Sequence, residues 1–428
     1  MASRKRRVWA AAGAVAAAAL ALSACNGGGG GEPDAGEDVT LLFTFWGDNS
    51  RADRYEEAID LFTAEHPNVT IQTQFSAMSD YWTARNTEGA AGSLPDVVQM
   101  DLPVLDEFVS RQWLLPLDEY MGETIDVSTI SEGLLPAAQL NGETYGIPTG
   151  QSTLAVFVDN DVVDTLGVAV PEAPLTWDDY DEYLAEIAAA GADSDPVVYG
   201  STNYTKILVA FQMWLQQEGL EFFDDSGALA FEPQDLTRWW ERSVPNFANG
   251  AFIPLERSAQ IEGDGIASGQ IGADISWSNF LTRFTEGSAG HQYTMLPVPS
   301  NTEQSGMFLK PGLLLSISQH SENPDVAAEF VDFITNSPEV GAIFGFSRGV
   351  PASSAALEGV EQNELDVQTA EYEQGLSEFL TGRTPPSVAG SGSIEAEFMR
   401  LADEIGYGTV TPEEAAEQWF TFAESTLG

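Results

Sequence analysis

Cysteine, lysine and histidine are nearly missing from this 428-residue chain, with one Cys and three His and only Lys5, Lys206 and Lys310. A lone cysteine permits no intramolecular disulfide, so the fold must hold by packing. His66, His291 and His320 are scattered near turns, without an H-x-x-x-H or Cys/His spacing that would suit a metal. Positive charge is scarce too: 17 basic residues stand against 66 acidic ones. Such a surface repels nucleic acid and anionic membranes, so neither is expected as a partner. No P-loop and no G-x-G-x-x-G after a strand occurs. Asp48-Asn49-Ser50 lacks the glycine and closing glutamate of a calcium loop. Past residue 22 no apolar run approaches ~18 residues, so no later segment reads as membrane-spanning.

Catalytic patterns fail on context. Gly345-Phe346-Ser347-Arg348-Gly349 fits G-x-S-x-G literally. A nucleophile elbow needs a strand before it, whereas Pro338 to Phe344 reads as helix, and no histidine follows His320. With 66 carboxylates, a pair resembling a glycosidase dyad is uninformative.

The one cysteine has a telling address. Arg4, Lys5, Arg6 and Arg7 precede an apolar stretch, Val8 to Leu22, and then Leu22-Ser23-Ala24-Cys25. Asn26, five glycines and the polar run Glu32 to Asp38 follow. This order resembles a bacterial lipoprotein signal, cleaved after residue 24, with a lipid on the Cys25 thiol and residues 25–38 as a tether. An ordinary signal peptide or short anchor is the alternative. Removal of residues 1–24 would leave 404 residues, natural for two domains, with a charge balance of 13 − 66 = −53. The expected location is the outer face of the cell membrane.

Periodicity then indicates mixed α/β structure. Val39 to Phe45 reads as a buried strand, Ser50 with Asp53 as a capping box, and Tyr55, Ala58, Ile59 and Phe62 as a helical face. Val69 to Phe75 alternates as a second strand, completing a βαβ unit. Leu94 to Asp101 reads as a short buried strand ending in a carboxylate, Leu154 to Val158 and Leu313 to Ile317 as further strands, and Asp106 to Gln112 as a helix. Thr176 to Asp179 is a second capping box, and Asn323-Pro324 opens a late helix. Ligands of open α/β sheets bind beyond the carboxyl ends of strands. At such ends stand Trp46-Gly47-Asp48 and Trp277-Ser278-Asn279, aromatic faces beside planar polar groups, which suits carbohydrate. Any single Trp also reads as a half-buried core residue.

Seven stretches carry a further resemblance. They are Phe45-Trp46, Glu65 to Val69, Gly92 to Val97, Asn141 to Pro148, Thr176 to Asp178, Trp277 to Asn279, and Ser321 to Pro324 with Ala327 to Phe330. In this order the chain from Val39 onward resembles the extracellular solute-binding proteins of sugar ABC transporters, the group that includes maltose-binding protein. The resemblance implies two α/β lobes joined by crossing strands. Lobe one would hold 39–150 and 309–348, and lobe two 151–308 and 349–428. The crossings would lie near Pro148 to Gly150, Lys310 to Gly312 and Arg348 to Pro351. It implies a ligand site at Trp46, Gly47, Asp48, Asp101, Gln151, Trp277, Asn279 and Arg348, with Asp101 accepting from vicinal hydroxyls and Trp277 as stacking platform. Tyr81, Trp82 and Tyr204 are secondary candidates. No cofactor and no catalysis are implied, and the partners would be a sugar and the permease subunits of an importer that a monomer serves. An anchored carbohydrate-active enzyme, or a binder of a non-sugar solute, are the alternatives. One departure stands out: where the family often has Tyr-Asn-Lys, this chain has Val158-Asp159-Asn160.

Overall fold

The computed structural model describes residues 38–427, apart from residues 132, 225, 226 and 387. Cys25, the apolar leader and the glycine run lie outside the described residues. Named in chain order, the strands are β1 (Val39–Trp46), β2 (Val69–Ser76), β3 (Val97–Met100), β4 (Gln139–Leu140), β5 (Glu143–Thr144), β6 (Ile147–Ser152), β7 (Leu154–Asp159), β8 (Ala273–Trp277), β9 (Tyr293–Leu296), β10 (Lys310–Ile317) and β11 (Val350–Pro351).

The first βαβ unit forms as its periodicity indicates. β1 and β2 pair in parallel from Val39↔Val69 to Trp46↔Ser76. The helix Asn49–Glu65 between them buries Ala52, Tyr55, Ala58, Ile59 and Phe62. Tyr55 lies 4.8 Å from the Phe43 ring and 4.5 Å from the Phe45 ring, so the helix is pinned to β1 by aromatic contact. Its cap is Asp48 rather than Ser50: the Asp48 Oδ1 accepts from the Arg51 amide at 3.0 Å. The chain leaves β1 extended at Asp48, which places that carboxylate over the first free amides. The next helix likewise starts earlier than expected, at Leu102–Ser110, with Asp101 as cap and Pro103 in its first turn. Proline costs nothing there, because the first amides of a helix have no partner to lose. At Thr176 both bonds of the capping box form. Asn323 precedes Pro324 at the head of Pro324–Asn336 without a side-chain cap bond. Asn141 (φ 56) and Gly142 (φ 85) supply the paired positive angles of the tight turn between β4 and β5.

Two sheets result. The larger is mixed, in the order β11-β6-β10-β3-β1-β2, and the smaller is β8-β7-β9. β10 runs antiparallel to both β3 and β6, and β7 runs antiparallel to β8 and β9. Apolar packing follows the same division. One set of cores holds Phe43, Phe62, Leu105, Leu314 and Phe330, and the other holds Val156, Trp177, Trp239, Phe284 and Trp419. Each fully buried large side chain of this kind contributes roughly 1.5–3 kcal/mol, so each set can sustain its own layer.

The chain passes between the sheets with a single residue, Thr153, separating β6 from β7, and both strands are buried throughout. β11 and β10 flank β6, with Val350 and Pro351 beside Gln151 and Gly150, and Pro311 also beside Gln151. These backbones approach too closely for side chains. A Cβ at Gly150 would lie 2.1 Å from the Arg348 carbonyl oxygen, and one at Gly349 (φ +92) 2.4 Å from that of Gln151. Gly150→Ala is therefore expected to destabilise the protein by about 1–3 kcal/mol through overpacking, read as a lower urea midpoint. An unchanged midpoint would mean that the Arg348 backbone can yield.

Candidate functional site

Thr153 is fully buried and tied on both sides. Its hydroxyl donates to the Phe308 carbonyl (2.8 Å), and its amide donates to Ser278 Oγ (3.2 Å). The Ser278 amide in turn donates to the Thr153 carbonyl at 2.8 Å. Ser278 Oγ then donates to Glu373 Oε1 at 2.6 Å, and Gln151 Nε2 donates to Glu373 Oε2 at 3.0 Å. Glu373 belongs to the helix Glu364–Gly375. One buried carboxyl thus joins the crossing strand β6, the loop just after Trp277, and a helix of the C-terminal region. Burial pushes that carboxyl up to about 7, against the opposing hydrogen bonds from Ser278 and Gln151.

Beside this cluster a cavity of about 210 Å³ opens, lined by Arg51, Ser152, Trp277, Asn279, Lys310 and Arg348 among others. Trp277, at the end of β8, is half-buried, and the Lys310 ammonium lies 5.3 Å from its ring centroid. Arg51 Nη1 donates to the Trp46 carbonyl at 3.0 Å. The glycine at 47 makes room for that reach, since a Cβ there would lie 2.7 Å from Arg51 Cδ. A larger crevice of about 680 Å³, lined by Pro136, Ala137, Phe308, Leu309, Leu380 and Thr384 among others, holds none of the expected site residues. The smaller cavity is the better candidate, because it gathers an aromatic face, an amide and cations in one place.

The expected residues are thus distributed unevenly. Trp277, Asn279 and Arg348 line the cavity. Trp46 is buried against Tyr81 and Trp82, and Asp48 is exposed at its helix cap. Gln151 is buried, with its amide nitrogen on Glu373 and its Oε1 without a partner. The Arg348 guanidinium lies 3.8 Å from the Phe344 ring centroid, and its Nη1 has no partner. Asp101 is half-buried, one oxygen accepting from the Leu102 amide at 2.9 Å. Glu395 feels both Asp101 and Lys310; burial raises its carboxyl, Lys310 opposes the rise and Asp101 adds to it. Tyr81 and Tyr204 are core residues, their hydroxyls donating to the Gln99 carbonyl (2.8 Å) and Asp181 (2.6 Å).

Sequence reasoning passed over Arg51, Glu373 and Glu395, and treated Lys310 only as part of a crossing. One signal was present for Glu373: it falls four residues after Thr369 and three after Ala370, on the buried face of its helix. His291, isolated in sequence, meets Asp159 with Nδ1 2.8 Å from Oδ2. Among the described residues, Asp159, Asp161 and His291 bring ligand atoms within 4.8 Å of one another, a grouping that could hold a metal ion. They stand at the far end of β7 from the cavity, about 17 Å along the strand.

Residues 48–340 match the family model of the bacterial extracellular solute-binding proteins. The chain belongs to that family. A binding protein of Brucella abortus (strain 2308) is 27% identical over 182 residues, covering 41% of this chain and 44% of that protein. The arabinooligosaccharide-binding protein of Halalkalibacterium halodurans is 26% identical over 206 residues, covering 47% of this chain and 44% of that protein. The chain thus aligns with less than half the length of these curated relatives. An extracellular solute-binding protein of family 1 from Alicyclobacillus acidocaldarius superposes with a TM-score of 0.74 at 25% identity, over 92% of this chain and 100% of that one. Like other solute-binding proteins, the chain has a two-lobed α/β fold, and no helix among the described residues is long and apolar enough to cross a membrane.

The raised Glu373 carboxyl has a consequence for stability. An unfolded glutamate ionises near its ordinary 4.5, while the folded one keeps its proton to about 7. The folded state therefore binds more protons over that window, and stability falls as pH rises through it, by about 3 kcal/mol at most. Glu373→Gln should flatten the dependence of unfolding free energy on pH between about 4.5 and 7.5. Equal slopes in both proteins would assign the effect elsewhere, for example to Asp274, which burial raises to about 6.

Proposed function

We propose that this solute-binding protein captures a sugar or oligosaccharide between its lobes and hands it to the permease of an ABC importer. One observation carries the reading: Trp277 and Asn279, at the end of β8 in the smaller sheet, share a cavity with residues of β10 in the larger. A pyranose packs its C–H face on an indole, and amides and carboxylates take its hydroxyls. Trp277 and Asn279, which line the cavity, are assigned these roles, with Trp46, Gly47, Asp48, Asp101, Gln151 and Arg348 framing or supporting the site. The arabinooligosaccharide-binding relative supports carbohydrate as the ligand class. Binding that contacts both lobes favours their closed arrangement, which the permease would then recognise. Neither this role nor its energetics calls for bond-breaking chemistry or a cofactor. Micromolar affinity needs about −8 kcal/mol, which stacking plus several net hydrogen bonds can supply.

A panel of mono- and oligosaccharides tests the reading by thermal shift. At about 100 times Kd the matching sugar stabilises by ~2.7 kcal/mol and raises the Tm. If no sugar shifts the Tm, the assigned ligand class is wrong. Product in the same mixtures after long incubation would instead favour an enzyme. Trp277→Ala should weaken the sugar that binds by on the order of tenfold or more, measured by calorimetry. Unchanged affinity would remove Trp277 from the site.

The anchor is part of the same proposal. A lipid on Cys25 with a glycine-rich leash would keep the receptor beside its permease as a monomer. Cys25→Ala should release the protein from the membrane fraction of expressing cells. Retention at the membrane would refute lipidation as the tether.

A further inference from the structure

Of 17 lysines and arginines, four (Arg4, Lys5, Arg6 and Arg7) precede the described residues, leaving 17 − 4 = 13. Eight of these, from Arg85 to Arg400, have a carboxylate oxygen within 4.0 Å. With acids outnumbering bases 66 to 17, pairing is the ordinary fate of a cation on this surface. Arg51, Arg54, Arg257, Lys310 and Arg348 have no such neighbour among the described residues. Arg257 is satisfied by the amide of Gln270. The other four gather in one place. Arg51, Lys310 and Arg348 line the 210 Å³ cavity, and Arg54 adjoins them by donating to the carbonyl of Phe344 (3.0 Å), the residue on whose ring Arg348 stacks.

This grouping is costly as it stands. Arg348 is buried, Nη1 lacks a partner, and its acidity is raised first by burial and further by Arg51 and Arg54, with Tyr55 opposing. Asp101 and Glu395 do not line the cavity. The Lys310 ammonium stands over the Trp277 ring, where it would meet a charged substituent of a sugar stacked on that indole. Resting on the solute-binding reading above, we propose that the site takes a carbohydrate bearing an anionic group, carboxylate or phosphate. Lys310 and Arg51 meet the charge, with the buried Arg348 behind them. The ring packs on Trp277. The excess of surface acid does not forbid this, since charges beyond about 8 Å are largely screened at physiological ionic strength.

The test compares, by calorimetry on the mature chain, a neutral disaccharide, digalacturonic acid and a sugar monophosphate. An anionic sugar should bind on the order of tenfold or more tighter than its neutral counterpart. Its advantage should shrink as ionic strength rises from about 0.01 M to about 0.15 M. The carboxylate and phosphate arms tell which anion is preferred. Lys310→Met and, independently, Arg51→Gln should erase most of that advantage, provided each retains the wild-type Tm. Arg257→Gln, which changes the net charge equally, should preserve it. A neutral sugar bound as tightly as the anionic ones at low salt overturns this inference and leaves solute binding intact. No binding by any of the three classes overturns both.

Discussion

Residues 147–159 must belong to two sheets at once, and the rest of the architecture follows from that requirement. β6 and β7 are buried over their full length, with only Thr153 between them. A backbone enclosed like this has no water to satisfy its polar groups, so neighbours must do so. β10 and β11 close around β6, the Phe308 carbonyl takes the Thr153 hydroxyl, and Ser278 takes its amide. Glycine at 150, 312 and 349 is the steric condition for that closeness, because a Cβ at each would come within 3 Å of a backbone oxygen. The crossing is thus a closely packed, cross-braced unit rather than a flexible linker.

The candidate site grows outward from this unit. Trp277 immediately precedes Ser278, and Lys310 begins the strand that pairs with Ser152. The position of Trp277 is set by the same bonds that satisfy the crossing, through Ser278 and Glu373. A neutral carboxyl at 373 donates one proton and accepts from others, whereas an ionised one only accepts, so its protonation changes which bonds the cluster can make. The expected ligand contact Gln151 is part of that support, its amide directed at Glu373.

Much of the fold was legible in the sequence because it rests on short-range signals. The helical face of Tyr55, Ala58, Ile59 and Phe62 and the Thr176 capping box each carry their own explanation within a few residues. Errors arose where two caps compete over short distances: Asp48 took the place expected for Ser50, and Asp101 with Pro103 began a helix expected to start at Asp106. The ordered stretches from Phe45 to Phe330 carried the family. The site was less legible. Residue type cannot show that Gln151 turns inward or that Arg348 stacks on Phe344. Nor can it show which cations have carboxylate neighbours, since pairs such as Lys206 with Asp403 join distant segments. Among 66 acids, Glu373 is distinguished only by the face of the helix on which it falls.

The segregation of the unpaired cations gives the molecule two electrostatic faces, distinguished by distance. With a formal charge of −49, the chain presents an approaching anion with a repulsive far field. Lys310 and Arg51 place two positive charges in the lining of the cavity. Added salt weakens the long-range barrier more than the short-range attraction, because screening grows with separation. Capture of an anion by such a surface would become faster in salt even as the bound state became less tight. Surfaces that steer their ligands by opposite charge show the reverse, their association slowing as salt is added.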